Sequence, residues 1–66
     1  SMKVGDLVQV GVLDKQGREE FISGMLIEDC SPESHTNGMH LIQVLHAGFT
    51  KWWPASYVRK VDEVRD

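Results

Sequence analysis

The sequence predicts an all-β domain, a strongly bent antiparallel barrel of five short strands. Three observations support this: short stretches in which apolar and polar residues alternate, tight-turn signals between them, and a length of 66 residues that allows one domain. Short strands at this spacing are typical of small barrels, in which a curled sheet covers its own core. We expect a single domain over residues 3–61, after an expression scar or native start at 1–2 and before a frayed, charged end at 62–66.

The first strand is predicted from Leu7 to Val12. Val8, Val10 and Val12 share one parity, so they would form one apolar face that is turned toward the core. The next four residues, Asp14–Gly17, begin with an acidic residue and end with glycine, which is typical of a tight turn. The pattern therefore indicates a hairpin.

The second strand is predicted from about Arg18 to Glu28. Its apolar residues lie on both faces, with Phe21, Met25 and Ile27 on one and Ile22 and Leu26 on the other. We interpret this as a strand that bends between two packed layers, with the bend at Gly24, where it costs least. The alternative is a helix over Glu19–Ile27, which the glycine, the β-branched residues and the lack of a favoured N-cap disfavour.

The longest loop is predicted over Asp29–Gly38, and its Asn37-Gly38 end favours a turn with positive φ. Such a loop either carries contacts or is simply tolerated, and the sequence leaves both interpretations open. Met39–Leu45 is rich in branched apolar residues and predicts a central third strand. His46–Phe49 is expected to be a short connection, in which Gly48 is free to take the left-handed conformation.

The tail supplies two more strands. The fourth is predicted over Thr50–Trp53, and Pro54 is expected to end its ladder because proline has no N–H to donate. Pro54–Tyr57 is predicted to form one 3₁₀-type turn, followed by a short fifth strand over Val58–Val61.

Two stretches resemble a known family. Trp53-Pro54-Ala55-Ser56-Tyr57-Val58 resembles the end of an SH3 domain, and Lys3–Val10 is similar to the Lys-x-Gly-Asp/Glu stretch that leads into an SH3 core strand. The resemblance implies an SH3-like barrel in which Val8, Val10, Trp53 and Val58 fill the core. Trp52, Pro54 and Tyr57 would then face outward, where SH3 domains receive proline-rich peptides in grooves between aromatic rings.

The departures from that family are specific. No Ala-Leu-Tyr-Asp-Tyr-type strand precedes Lys3, no tryptophan begins the second or third strand, and Ser56 stands where the family usually has asparagine. The chain therefore resembles more closely the minimal SH3-like barrels, which include many small proteins of tailed phages and bacteria. Members of that group bind peptides or nucleic acids, or serve in assembly, so the resemblance does not imply one function.

Composition bounds the environment and the partners. The net charge is −3, so no broad basic field is present for a phosphate backbone. The single cysteine cannot close an internal disulfide, and no apolar run approaches the roughly 20 residues of a membrane helix. We expect a protein without membrane association in the cytoplasm, or in the host cytoplasm if it is encoded by a phage.

The residues that carry chemistry are scattered, and we predict neither an enzyme nor a cofactor. Cys30, His35, His40 and His46 are of the types that bind zinc, but their spacing fits no paired motif. Cys30 with His35 would be a nucleophile and its base only if a polar loop held them in alignment. Glu19 and Glu20 are neighbours on a strand, so their carboxylates diverge.

Two functions remain. The first is a protein-interaction module that binds a partner peptide, itself or a larger complex through Trp52, Pro54, Tyr57, Phe49 and His46, because aromatic side chains carry much interface energy. The alternative is a nucleic-acid-binding accessory module, with Lys51, Arg59 and Lys60 on phosphates and Trp52 stacked on a base. A cage of these rings for methylated lysine is a further, weaker hypothesis.

Overall fold

The computed structural model describes residues 2–30 and 38–61, and these residues form one antiparallel sheet of five strands in the order β4-β3-β2-β1-β5. The elements are β1 (Leu7–Leu13), β2 (Glu19–Cys30), β3 (Leu41–His46), β4 (Phe49–Pro54), a 3₁₀ turn (Ala55–Tyr57) and β5 (Val58–Lys60). The all-β prediction is confirmed, including the 3₁₀ turn before the last strand. β4 and β5 form the two edges and do not pair with each other within this described part, so the sheet is open.

The β1–β2 hairpin follows the valine pattern and the turn chemistry. Val8 and Val10 are fully buried, and the strand runs one residue past the predicted Val12. Asp14 closes the turn with its side chain, because its Oδ1 accepts the backbone N–H groups of Gln16 and Arg18, each at 2.9 Å. The carboxylate therefore replaces hydrogen bonds that a regular ladder would supply.

β2 is a single bent strand that belongs to both halves of the sheet. Its first half pairs with β1, its second half pairs with β3, and Met25 pairs with both. The helix alternative is wrong for this segment, since the ladders to both neighbours hold it extended. The strand also reaches Cys30, two residues into the predicted loop.

Gly24 permits a close approach of β2 to β3. A Cβ built on it would contact the Leu45 carbonyl oxygen and would lie 2.6 Å from Val44 Cγ1, which is closer than real Cβ atoms come. The pairing register shifts shortly afterwards, between Leu26 and Glu28, as at a β-bulge. The absence of a side chain at residue 24 and the irregularity after Leu26 together allow the sheet to bend here.

The β3–β4 hairpin is tighter than predicted. Only Ala47 and Gly48 form the loop, with φ of 53° and 82°, while His46 and Phe49 pair with each other. Positive φ at both central residues is typical of the hairpin turn whose twist matches that of its strands. β4 continues through Pro54, which pairs with Leu41 at the end of an edge strand and so needs no N–H for the ladder.

The core lies against one face of the bent sheet. Its buried members are Val8, Val10, Leu26, Ile42, Val44 and Val58. Trp53, predicted to fill the core, is only partly buried and packs at its margin, as does Met2. Most of the predicted long loop, together with residues 1 and 62–66, lies outside the described residues, although Gly38 has the positive φ expected at the loop end, at 77°. No helix in residues 2–30 and 38–61 is long and apolar enough to span a membrane.

Candidate functional site, an aromatic cleft

The two faces of β4 carry different side chains. Trp53 pairs with Ile42, and Lys51 pairs with Val44, so both lie on the face of the sheet that covers the core. Phe49 shares their parity, whereas Trp52 points to the opposite face because side chains alternate along a strand. Among the described residues β4 does not pair with β5, and on its inner face Phe49 and Lys51 are exposed while Trp53 is partly buried.

A groove of about 410 Å³ lies at the hairpin end of this inner face. We call it the Phe49 groove; its lining residues are Val12, Ile22, Val44, His46, Ala47, Phe49, Lys51 and Trp53. Phe49 is 78% exposed at its rim. The floor is aliphatic, so the groove offers an apolar surface with one cation on it.

A second groove, of about 680 Å³, runs along the edge of β1 beyond Val10, where the pairing of β1 with the first residue of β5 stops. We call it the Tyr57 groove; it is lined by Gly11, Val12, Leu13, Glu19, Phe21, Trp53, Ser56, Tyr57, Val58 and Arg59. Val12 and Trp53 line both grooves, so the grooves adjoin and Trp53 stands at their boundary. We refer to the two together as the cleft.

Two protein cations lie on the rings of the cleft. Lys51 Nζ is 5.0 Å from the centre of the Trp53 ring, and Arg59 Cζ is 4.1 Å from the centre of the Phe21 ring. Both distances fit a cation–π interaction. Arg59 Nε also donates to Gln9 Oε1 at 3.2 Å, which fixes the guanidinium beside Phe21.

Phe21 owes its position to a glycine. It pairs with Gly11 across β1 and β2, and its Cε1 lies 3.3 Å from where a Gly11 Cβ would stand. The ring thus covers the bare backbone of Gly11 and forms part of the Tyr57 groove. Neither its own strand pattern nor the pattern of β1 marks Phe21 as a site residue, because this contact joins residues ten apart across the hairpin.

His46 connects the hairpin end to β2. Its Nδ1 lies 2.8 Å from the backbone oxygen of Ser23. A carbonyl oxygen only accepts, so Nδ1 carries the proton in this contact. The bond supplies a partner to a β2 carbonyl near the end of the β3 ladder and holds His46 at the wall of the Phe49 groove.

The structure divides the predicted binding residues between two surfaces. Tyr57, Phe49 and His46 line the cleft, with Tyr57 53% exposed. Trp52 is 42% exposed on the opposite face of β4, and the half-buried Pro54 shares its parity. The sequence predicts that Trp53 fills the core. Trp53 is partly buried, so it packs against the core and also lines both grooves of the cleft.

The three cations of the nucleic-acid alternative are also divided. Lys51 and Arg59 line the two grooves of the cleft. Arg59 pairs with Gln9 and lies on the outer face of the sheet, whereas Lys60 pairs with the buried Val8 and lies on the core face, with its Nζ 3.8 Å from Asp6 Oδ2. They do not form one continuous row.

The residues considered for metal binding and catalysis do not assemble into a site where the structure describes them. His40 Nε2 contacts Asp29 Oδ1 at 2.5 Å, while His46 lies at the other end of β3. Among the described residues no group of three or more His, Cys, Asp and Glu side chains could hold a metal ion. His35 lies outside them, so its predicted pairing with Cys30 is not described.

Comparison of the chain with protein-family models, curated proteins and solved structures finds no significant match. The features that bear on function are therefore those of the chain itself. They are an open five-stranded sheet and an aromatic cleft that residues from both faces of the sheet line.

Proposed function

We propose that this protein is a non-enzymatic interaction module of the SH3-like class that binds an extended segment of a partner protein in the cleft. The proposal rests on the cleft, which combines partly exposed aromatic rings with an aliphatic floor. Aromatic side chains that pack in apolar pockets contribute much of the binding energy at protein interfaces. Its two grooves adjoin at Trp53, so one ligand segment can contact both. The strand order and the 3₁₀ turn before β5 support the SH3-like assignment.

An extended ligand suits the shape of this surface. The Tyr57 groove follows the β1 edge, and the Phe49 groove follows the inner side of β4, so each groove runs beside a strand. Open grooves of this kind accept a chain whose alternate side chains enter successive depressions. A cytoplasmic location, in the host if a phage encodes the protein, forms part of this proposal.

Binding of peptides selected from a random displayed library tests the proposal. Tyr57→Ala and Phe49→Ala truncate exposed rings at the two ends of the cleft, and Trp52→Ala, on the opposite face of β4, is the matched control. We expect each cleft variant to weaken binding by about tenfold, a loss of about 1.4 kcal/mol. Trp52→Ala should bind like the wild type.

Three outcomes would contradict the proposal. Selection that enriches no peptide would remove the binding function. Binding that Trp52→Ala abolishes and the cleft variants leave unchanged would move the site to the other face. Binding to single-stranded DNA alone, with a steep loss in salt, would favour the nucleic-acid alternative.

A further inference from the structure

The two cations of the cleft differ from Arg18 and Lys60, whereas Lys3 and Lys15, which lie outside the cleft, also form no ion pair within the described residues. Arg18 contacts Asp14, and Lys60 contacts Asp6, so each lies beside a carboxylate of the protein. Within residues 2–30 and 38–61, neither Lys51 nor Arg59 has a carboxylate within salt-bridge distance. Lys51 contacts the Trp53 ring, and Arg59 contacts the Phe21 ring and the neutral Gln9 side chain.

The placement of these cations gives the cleft a charge opposite to that of the chain. Lys51 and Arg59 lie in different grooves, and Glu19 is the acidic residue among the lining side chains. The cleft is thus net positive in a protein whose net charge is −3. Both cations are exposed, so each attracts a bound anion as a surface charge does, with an energy that salt screens.

The same contacts disfavour a cationic ligand. A methylated lysine or an arginine-rich peptide would seek the electron-rich faces of Trp53 and Phe21. Lys51 and Arg59 already lie over those rings, so an incoming cation would meet both competition and repulsion.

A polyanion fits less well than a short acidic segment. A nucleic acid places a phosphate at every nucleotide, and its binding is normally supported by several cations along its path. The cleft offers two, and the acidic balance of the chain would repel the remaining phosphates. A peptide can place a small number of carboxylates where the cations are and be apolar elsewhere.

From this arrangement we infer that the ligand of the cleft is an extended acidic–apolar segment of a partner protein. An aromatic or branched apolar residue packs at the Val12–Trp53 boundary. Carboxylates on either side of it reach Lys51 and Arg59. This inference rests on the proposed function, because it names the chemistry of the segment that the cleft binds.

The test compares the peptides that different forms of the protein enrich from one random displayed library. The wild type is expected to enrich Asp and Glu on both sides of an apolar residue. Lys51→Glu/Arg59→Glu reverses both cations of the cleft and is expected to replace acidic with basic residues at those positions. Lys3→Glu/Lys15→Glu is the matched control, because it changes the net charge equally at exposed positions outside the cleft, and it should keep the acidic preference.

A milder pair guards against a charge reversal that unfolds the domain. The single variants Lys51→Gln and Arg59→Gln should each bind a synthesised acidic peptide about two- to fivefold more weakly than the wild type does. This is the range expected for the loss of one exposed ion pair. The same variants should bind a neutral version of that peptide, with Asn for Asp and Gln for Glu, as tightly as the wild type does. Thermal melts of every variant establish that it is folded.

The outcomes separate the two proposals. Enriched peptides that bind in the cleft but are neutral or basic would overturn this inference and leave the interaction module standing, while no enrichment would overturn both. Preferential binding of an oligo-dT probe in the cleft would identify a nucleic acid as the occupant. Self-association that Tyr57→Ala abolishes would identify a second copy, and either result would overturn the inference.

Discussion

Gly24→Ala adds one methyl group where the two halves of the sheet come closest, and we expect it to destabilise the protein strongly. The added carbon would meet the Leu45 carbonyl oxygen and lie 2.6 Å from Val44 Cγ1. The first of these atoms belongs to the backbone of a paired strand, so it cannot rotate away. Inserting one carbon into a packed site costs about 1–3 kcal/mol, and the better strand propensity of alanine offsets about 0.5–1 kcal/mol of that.

The net expected loss is about 2 kcal/mol, taken from the upper part of that range because backbone must move. A domain of this length has a free energy of unfolding of about 3–10 kcal/mol, so the loss is a large fraction of the total. It corresponds to a fall in Tm of about 8–16 °C. Urea denaturation followed by tryptophan fluorescence measures it, with an unchanged m-value showing that the folded state keeps its compactness.

Gly11→Ala is the matched control, since it makes the same change in the neighbouring strand. Its added carbon would lie 3.3 Å from Phe21 Cε1 and 3.4 Å from Glu19 Oε2. Both atoms are at the far ends of side chains and can give way by a few tenths of an ångström. We expect this variant within about 0.5 kcal/mol of the wild type, and equal stability of the two glycine variants would refute the close approach at Gly24.

Three further changes have defined outcomes. Asp14→Ala removes the acceptor of two backbone N–H groups in the first turn and should reduce the free energy of unfolding by about 1 kcal/mol. Asp14→Asn keeps an acceptor oxygen, so in the same urea assay it should retain most of the stability that Asp14→Ala loses. Ala47→Asn places the residue that the turn favours before Gly48 and should raise Tm by a few degrees, since a gain of a few tenths of a kcal/mol is expected; an unchanged or lower Tm would count against the turn geometry. Trp53→Ala should cost about 1.5–3 kcal/mol, below the 3–5 kcal/mol of a fully buried aromatic residue, and should abolish binding of the selected peptides in calorimetric titration. Full stability would exclude its contact with the core, and full binding would exclude it from the cleft.

Much of the fold follows from local patterns. The parity of Val8 and Val10 predicts a strand with one buried face, and both residues are fully buried. Gly48 and Asp14 mark the two hairpin turns, because positive φ and side-chain capping are properties of single residues. The tail also predicts the 3₁₀ turn that follows Pro54, and Val58, which the resemblance to SH3 domains assigns to the core, is buried.

The exact lengths of strands and loops are less local. β2 extends to Cys30, because pairing with β3 holds Asp29 and Cys30 extended although their polar surroundings predict a loop. The β3–β4 loop shortens to Ala47 and Gly48, since cross-strand pairing draws in both flanking residues. Ladder hydrogen bonds to a neighbouring strand decide these boundaries, and composition reports them only weakly.

Alternation in β4 shows from sequence alone that Trp52 and Trp53 point to opposite faces, and the paired ladders confirm that Trp53 is the one turned toward the core. Only the tertiary structure decides how far the sheet covers that inner face. The sheet bends at β2 but stays open, so Trp53 remains partly exposed between the two grooves. Phe49 lies on the same inner side, and Phe21 reaches the cleft because its ring lies over Gly11. Burial at these positions depends on the curvature of the whole sheet, whereas strand parity depends only on neighbouring residues.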